Sequence, residues 1–186
     1  MDAVFTLFDT AFGRCGIAWR GEAVVAFALP GASDADTAAH LTRRVPDAVL
    51  ADPPLVIVNA VEAVRRLLLG EGGDLASIPL DLTTVPEFER RVYEALRTVG
   101  PGETVTYGEL AERLGSPGAA RAVGMAMARN PIPVIIPCHR VLAGSGRSGG
   151  FSAPGGVTTK FRLLQIEQAG RGGDGLLFAD LPLAVR

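Results

Sequence analysis

Hydrophobic and polar positions change rhythm along the chain. Three β-rich apolar runs come first: "VFTLF" (4–8), "CGIAW" (15–19) and "AVVAFAL" (23–29), separated by glycine-containing turns. This pattern predicts a meander of antiparallel strands. The spacing then lengthens. Ser33 is positioned to cap a helix through "DADTAAHLTRR" (34–44), and "LVIVNAVEAVRRLLLG" (55–70) predicts a second helix that stops at Gly70. The stretch "EGGDLASIPLDLTTVP" (71–86) predicts a linker with one short strand. Pro86 opens a helix in "EFERRVYEALRTVG" (87–100), whose Phe88, Val92, Leu96 and Val99 form an apolar stripe before Gly100-Pro101-Gly102 ends it.

Beyond residue 102 the signals are denser. Thr106 and Glu109 have the S/T-x-x-E spacing of a capping box, which predicts a short helix through Leu114, stopped at Gly115. Ser116 is read as the cap of another helix with Pro117 at its first position, where the missing N–H costs nothing. Asn130-Pro131 ends it, because a residue before proline is pushed out of the helical region. Two short helices joined by a tight turn make a helix-turn-helix candidate, a spacing that many helical hairpins share. In the second of them Gly118, Ala119, Ala120, Ala122, Gly124, Ala126 and Ala128 are small, with Arg121 as the long side chain that projects. Glycine within a helix costs about 1 kcal/mol relative to alanine. Its repetition points to close helix packing or to a smooth face against a nucleic-acid backbone, and the charge pattern favours the second.

These elements imply an α/β protein of the α+β kind. A small N-terminal domain of antiparallel sheet plus helices (1–82) precedes a mainly helical domain with the helix-turn-helix (83–170) and a tail (171–186). Charge divides along the same line. Residues 1–82 hold six arginines against eleven acids, a net of −5, whereas residues 83–186 hold twelve basic groups against nine acids, a net of +3. No acid occurs between Glu112 and Glu167, while Arg113, Arg121, Arg129, Arg140, Arg147, Lys160 and Arg162 do. A basic, acid-free segment is a polyanion-binding signature, although a solvated face with scattered arginines explains charge alone equally well. The N-terminus begins with an acid and lacks the basic region of a secretory signal, and no apolar run is long enough to span a bilayer. We therefore expect a cytoplasmic protein.

The chemistry is concentrated in "NPIPVIIPCHRV" (130–141). Cys15 and Cys138 are far apart and lack zinc or disulfide-framework spacing, so each is read singly. Cys15 fits a small buried hydrophobe, and His40 a surface helix residue. Cys138 precedes His139 and Arg140, and cationic neighbours lower a thiol's pKa. Adjacent residues do not face each other on a strand or helix, so His139 as base must act around a turn or through a water. A base needs an orienting group, and Glu167 is the nearest downstream carboxylate.

The segments "VTYGELAERLG", "AARAVGMAMARNPIPVIIPCHRV" and "GGFSAPGGVTTKFRLLQIE" resemble the O6-alkylguanine-DNA alkyltransferases, also called methylated-DNA–protein-cysteine methyltransferases. The likeness spans most of residues 86–168. It implies direct-reversal DNA repair: a flipped O6-alkylguanine in double-stranded DNA gives its alkyl group irreversibly to Cys138, with no metal or cofactor. It further implies His139 as a base working through water, Glu167 as its orienting carboxylate and Asn130 as the residue holding the active-site turn. Tyr107 would stand beside the flipped base, and Pro133, Val141, Gly149, Gly150 and Ser152 would form the pocket. Arg121 would fill the space left by the nucleotide, with Ala119, Ala120, Gly124, Arg129 and Arg140 along the DNA. Phe151 replaces a tyrosine common in the family, and the 151–160 loop is about two residues longer than in common relatives. A monomer is expected, with room for cooperative binding on DNA. The alternatives are a non-catalytic damage-binding relative, an alkylation-sensing DNA-binding regulator, and an unrelated cysteine hydrolase.

Overall fold

In the computed structural model, which describes residues 2–73, 75–144 and 149–169, the N-terminal meander forms as the sequence predicts. Strands β1 (Val4–Thr10), β2 (Gly13–Arg20) and β3 (Ala23–Ala28) pair antiparallel, with Phe5 opposite Ala18 and Ile17 opposite Phe27. Alternation gives the sheet two unlike faces. Cys15, Ile17 and Trp19 point into the main core, whereas Ala18, Ala26 and Ala28 pack with Leu41. Small side chains on that second face let helix α1 (Asp34–Thr42) lie close. Ser33 caps α1 as expected, its hydroxyl accepting the Asp36 N–H at 3.2 Å. Helix α2 (Leu55–Leu69) ends at Gly70.

Several elements go beyond the sequence pattern. A two-residue strand β4 (Val49–Leu50) pairs parallel with β1, giving the order β3-β2-β1-β4. The short strand expected in the linker is a single bridge between Leu80 and Val24, where the Asp81 N–H donates to the Val24 carbonyl at 2.9 Å. Helix α3 (Glu87–Leu96) begins after Pro86, which is its cap rather than its first residue, and stops before Gly100; Val99 is buried in the turn beyond it.

Helix α4 (Tyr107–Arg113) carries the predicted capping box, with both reciprocal hydrogen bonds formed. Helix α5 (Ala120–Ala128) starts later than Ser116-Pro117 suggests. Gly118 adopts φ +88°, a left-handed conformation that interrupts the helical path, so residues 117–119 form a turn and Ala119 becomes the cap. Strands β5 (Val105–Thr106) and β6 (Val141–Leu142) form a short parallel pair, and α6 (Gly156–Ala169) follows.

One apolar core runs from Phe8 and Trp19 through Leu67 and Leu82 to Tyr93, Ile136 and Leu163. Residues on both sides of position 82 contribute to this core. Among the described residues no helix is long and apolar enough to cross a membrane. Arg147 and the 171–186 tail lie outside the described residues.

Candidate active site

The helix α5 is followed by a turn over residues 130–140 that is over-determined from within. Asn130 is 3% exposed. Its Oδ1 accepts the Ile132 N–H at 2.9 Å and its Nδ2 donates to the Ile136 carbonyl at 2.9 Å. The Ile136 N–H donates in turn to the Ile132 carbonyl at 2.8 Å. Within this clasp Val134 has φ +75°. A β-branched residue there carries about 1–3 kcal/mol of strain, which persists only where the surroundings hold it. The Phe27 N–H on β3 also donates to the Pro131 carbonyl at 3.0 Å, tying the turn to the sheet.

Cys138, His139 and Arg140 make a single 3-10 turn beyond Pro137. The irregular backbone expected from the prolines is present, and it sends the three side chains into different surroundings. His139 is wholly buried, and its Nε2 lies 2.8 Å from Glu167 Oε1 on α6. Burial alone would raise the Glu167 pKa, but the His139 charge and the hydrogen bonds from His139 and Arg140 lower it to about 2. An ionised Glu167 accepts, so Nε2 carries the proton. When the ring is neutral, that leaves Nδ1, which is buried with no hydrogen-bond partner among the described residues, as the nitrogen able to accept a proton.

Arg140 departs from the DNA-facing position expected of it. It is 5% exposed; Nη2 donates to Glu167 Oε1 at 2.7 Å, Nε to Oε2 at 3.0 Å and Nη1 to the Val99 carbonyl at 2.5 Å. A guanidinium enclosed by these acceptors is the counter-ion of Glu167 and is almost closed off from solvent. The resting thiol also differs from expectation. Burial pushes the Cys138 pKa up, and the Asn130 hydrogen bond with the Lys160 and Arg44 charges only partly oppose this. The thiol is protonated at rest.

Two cavities meet at Cys138. One, of about 440 Å³, is lined by Tyr107, Gly124, Met127, Gly150, Phe151 and Ser152. The other, of about 290 Å³, reaches toward β3 and α1 and includes Pro133. Gly149, at φ +64°, lies so close to Tyr107 that a Cβ would fall 2.8 Å from its hydroxyl oxygen, which explains a glycine there. Arg121 is exposed on α5, Ala119 and Ala120 stand at the start of that helix, and Arg129 bonds Glu89 at 3.0 Å.

Lys160 was not singled out by sequence. It is fully buried, and its Nζ donates to the Val141 carbonyl at 2.5 Å and toward the Gly150 carbonyl at 3.5 Å. Burial lowers its pKa to about 8, a fall that only a Cys138 thiolate would oppose. A signal existed: Lys160, Leu163, Leu164 and Glu167 share one helical stripe at i, i+3, i+4 and i+7, so two charges sit where apolar residues belong. His40, read as a surface residue, lines the smaller cavity with Arg43 and Arg44.

Residues 87–169 match the family model described as the 6-O-methylguanine DNA methyltransferase DNA-binding domain. A methylated-DNA–protein-cysteine methyltransferase from Mycobacterium leprae is 47% identical over 108 residues, which is 58% of this chain and 64% of that protein, just under two thirds. One from Mycobacterium tuberculosis is 42% identical over 125 residues, covering 67% of this chain and 73% of that one. The chain belongs to the O6-methylguanine DNA methyltransferase family. A crystal structure of Mycobacterium tuberculosis OGT in complex with DNA shares the fold, with TM-score 0.70 and 32% identity over 89% of this chain and 93% of that one. The two mycobacterial relatives carry the name methylated-DNA–protein-cysteine methyltransferase, a DNA-repair chemistry in which a methyl group passes to a cysteine of the protein.

Proposed function

We propose that this methyltransferase repairs O6-alkylguanine in duplex DNA by moving the alkyl group, once and irreversibly, onto Cys138 Sγ. The observation that carries this reading is the position of Cys138 at the floor of the Tyr107-lined cavity, one residue from a histidine fixed by an ionised carboxylate. Extruding the damaged nucleotide costs a few kcal/mol, and the open side of α5 suits this step. Arg121 fills the gap in the duplex, while Ala119, Ala120 and Gly124 keep that face smooth enough to approach the backbone. Contacts to the backbone carry no sequence information, which suits a search for damage anywhere.

With the base seated, His139 Nδ1 takes the thiol proton through a water. Sγ attacks the alkyl carbon as the carbon–O6 bond breaks. The bonding pair goes to the guanine, which takes up a proton. Burial, with the Cys138 charge, raises the Tyr107 pKa, so its hydroxyl is held protonated and ready to donate to the departing base. A thioether resists water and base, hence one lesion per molecule.

Incubation with O6-methylguanine duplex should add one methyl mass to the Cys138 peptide in a stoichiometric burst. Continued turnover would instead support a hydrolase, and selective binding without a mass change a damage-binding protein. Cys138→Ser should abolish transfer while DNA binding persists.

A further inference from the structure

We propose that Met125 makes an apolar contact with duplex DNA beside the extruded nucleotide, giving the protein a share of its DNA affinity that salt does not weaken. The inference rests on the transfer reading above and adds to it a residue of the DNA-facing surface that the charge pattern does not mark.

Helix α5 buries Val123, Ala126 and Met127 and leaves Arg121, Ala122, Met125, Ala128 and Arg129 exposed. The exposed positions recur at i, i+1, i+4, i+7 and i+8, so they form one stripe along the helix. Arginine stands at either end of it, Arg129 paired with Glu89 of α3, and Met125 is at its centre. Met125 is 51% exposed and is the one large apolar side chain of the stripe. A single exposed apolar residue is ordinary on a protein surface. This one stands where the other apolar positions of the stripe are alanine, within a segment that has no acid from residue 113 to residue 166.

Its neighbours on the helix point to what it meets. One turn before Met125 is Arg121, which the transfer reading places in the gap in the duplex. One turn after it is Ala128, which is exposed and also lines the larger cavity with Tyr107 and Cys138. Met125 therefore lies between the residue that fills the gap and the rim of the cavity that takes the base. A nucleotide leaving the stack uncovers the faces of the bases next to it. Proteins that unstack DNA set apolar side chains, methionine among them, against such steps. The unbranched thioether adapts to an uneven surface. Ala119, Ala120 and Gly124 are half-buried beside the stripe, and their small size lets the helix come within reach.

Apolar and ionic contacts respond differently to salt. A cation on a phosphate releases counterions, so its contribution falls as salt rises. Burying apolar surface releases water and no ions. Truncating Met125 should therefore weaken binding by one factor at every salt concentration, whereas losing an arginine–phosphate contact changes the slope.

The test uses the full chain carrying Cys138→Ser, so that no transfer intervenes, and a duplex containing O6-methylguanine. Fluorescence anisotropy gives the affinity across a series of sodium chloride concentrations. Met125→Ala in that background should weaken binding about fivefold to tenfold, the scale of burying a half-exposed methionine side chain, with the slope of log affinity against log salt unchanged. Met125→Leu should keep most of the affinity. With Cys138 restored, Met125→Ala should match the parent in its urea midpoint and in the pH profile of Cys138 alkylation by iodoacetamide. Equal or tighter duplex binding by Met125→Ala overturns the proposal. A changed salt slope does so too, since Met125 would then act by placing charges. A lowered midpoint or an altered alkylation profile also overturns it, because the effect would be one of helix packing. If the parent takes no methyl from the duplex, the transfer reading falls, while the binding series still decides the Met125 contact.

Discussion

At the scale of single residues, burial holds Cys138, the proposed nucleophile, in its less reactive thiol form. Cys138 is raised by burial above the ordinary thiol range, and the Asn130 hydrogen bond, Lys160 and Arg44 oppose that rise. Its reaction with iodoacetamide at neutral pH should be slower than that of a free thiol, and should accelerate only as pH passes the usual thiol pKa. Lys160 carries its proton only below about pH 8, so Lys160→Met should lower the alkylation rate at neutral pH and leave it little changed above about pH 9, with circular dichroism confirming a native fold. An unmoved profile would show that Lys160 does not act on the sulfur. Asn130 works by geometry. Asn130→Ala would leave the Ile132 N–H without its partner, while the Ile136 carbonyl keeps the Cys138 N–H, a loss of about 1–3 kcal/mol. Urea unfolding measures this, and transfer should fall with it because the turn presents the sulfur.

At the scale of elements, what was legible in the sequence is what is decided locally. The capping box of α4 needs only Thr106 and Glu109, and both its hydrogen bonds form. Thr106→Ala should destabilise the protein by about 1 kcal/mol, read as a shift in the denaturation midpoint at unchanged slope. Since the same cap sets the first turn of the helix that begins with Tyr107, transfer should slow as well. The three long strands and the Gly70 stop were legible for the same reason. The start of α5 was not, because Ser116-Pro117 reads as an N-terminus until the left-handed Gly118 turns the chain aside. Strands β4, β5 and β6 have two residues each, too few for alternation to show, and their partners lie far away in the chain. Cys138, His139 and Glu167 were readable from residue type and order. The presence of Arg43 and Arg44 in a cavity with Cys138 was not, since it depends on the packing of sheet and turn, which the Phe27 N–H to Pro131 carbonyl hydrogen bond joins across distant parts of the chain.

At the scale of the whole molecule, one carboxylate on α6 is tied to the Cys138 turn and, through Arg140, to the turn beyond α3. Glu167 accepts from His139 and Arg140, and Arg140 reaches on to the Val99 carbonyl. Loss of that carboxylate leaves a buried guanidinium without its counter-ion, so Glu167→Gln should destabilise the protein by about 3–5 kcal/mol at neutral pH. The pH dependence separates this from a packing defect. Glu167 ionises near pH 2 in the fold against an ordinary value of 4.5. Between those values the unfolded chain binds more protons than the native one. The stabilisation is therefore complete above about pH 4.5 and is lost as pH falls toward 2. The gap in unfolding free energy between parent and Glu167→Gln, measured in urea, should be widest at neutral pH and narrow through that window. A gap that stays constant from pH 6 to pH 2.5 would mean that shape rather than charge is what Glu167 contributes, and His139 would then lack the ionised partner that fixes its proton on Nε2.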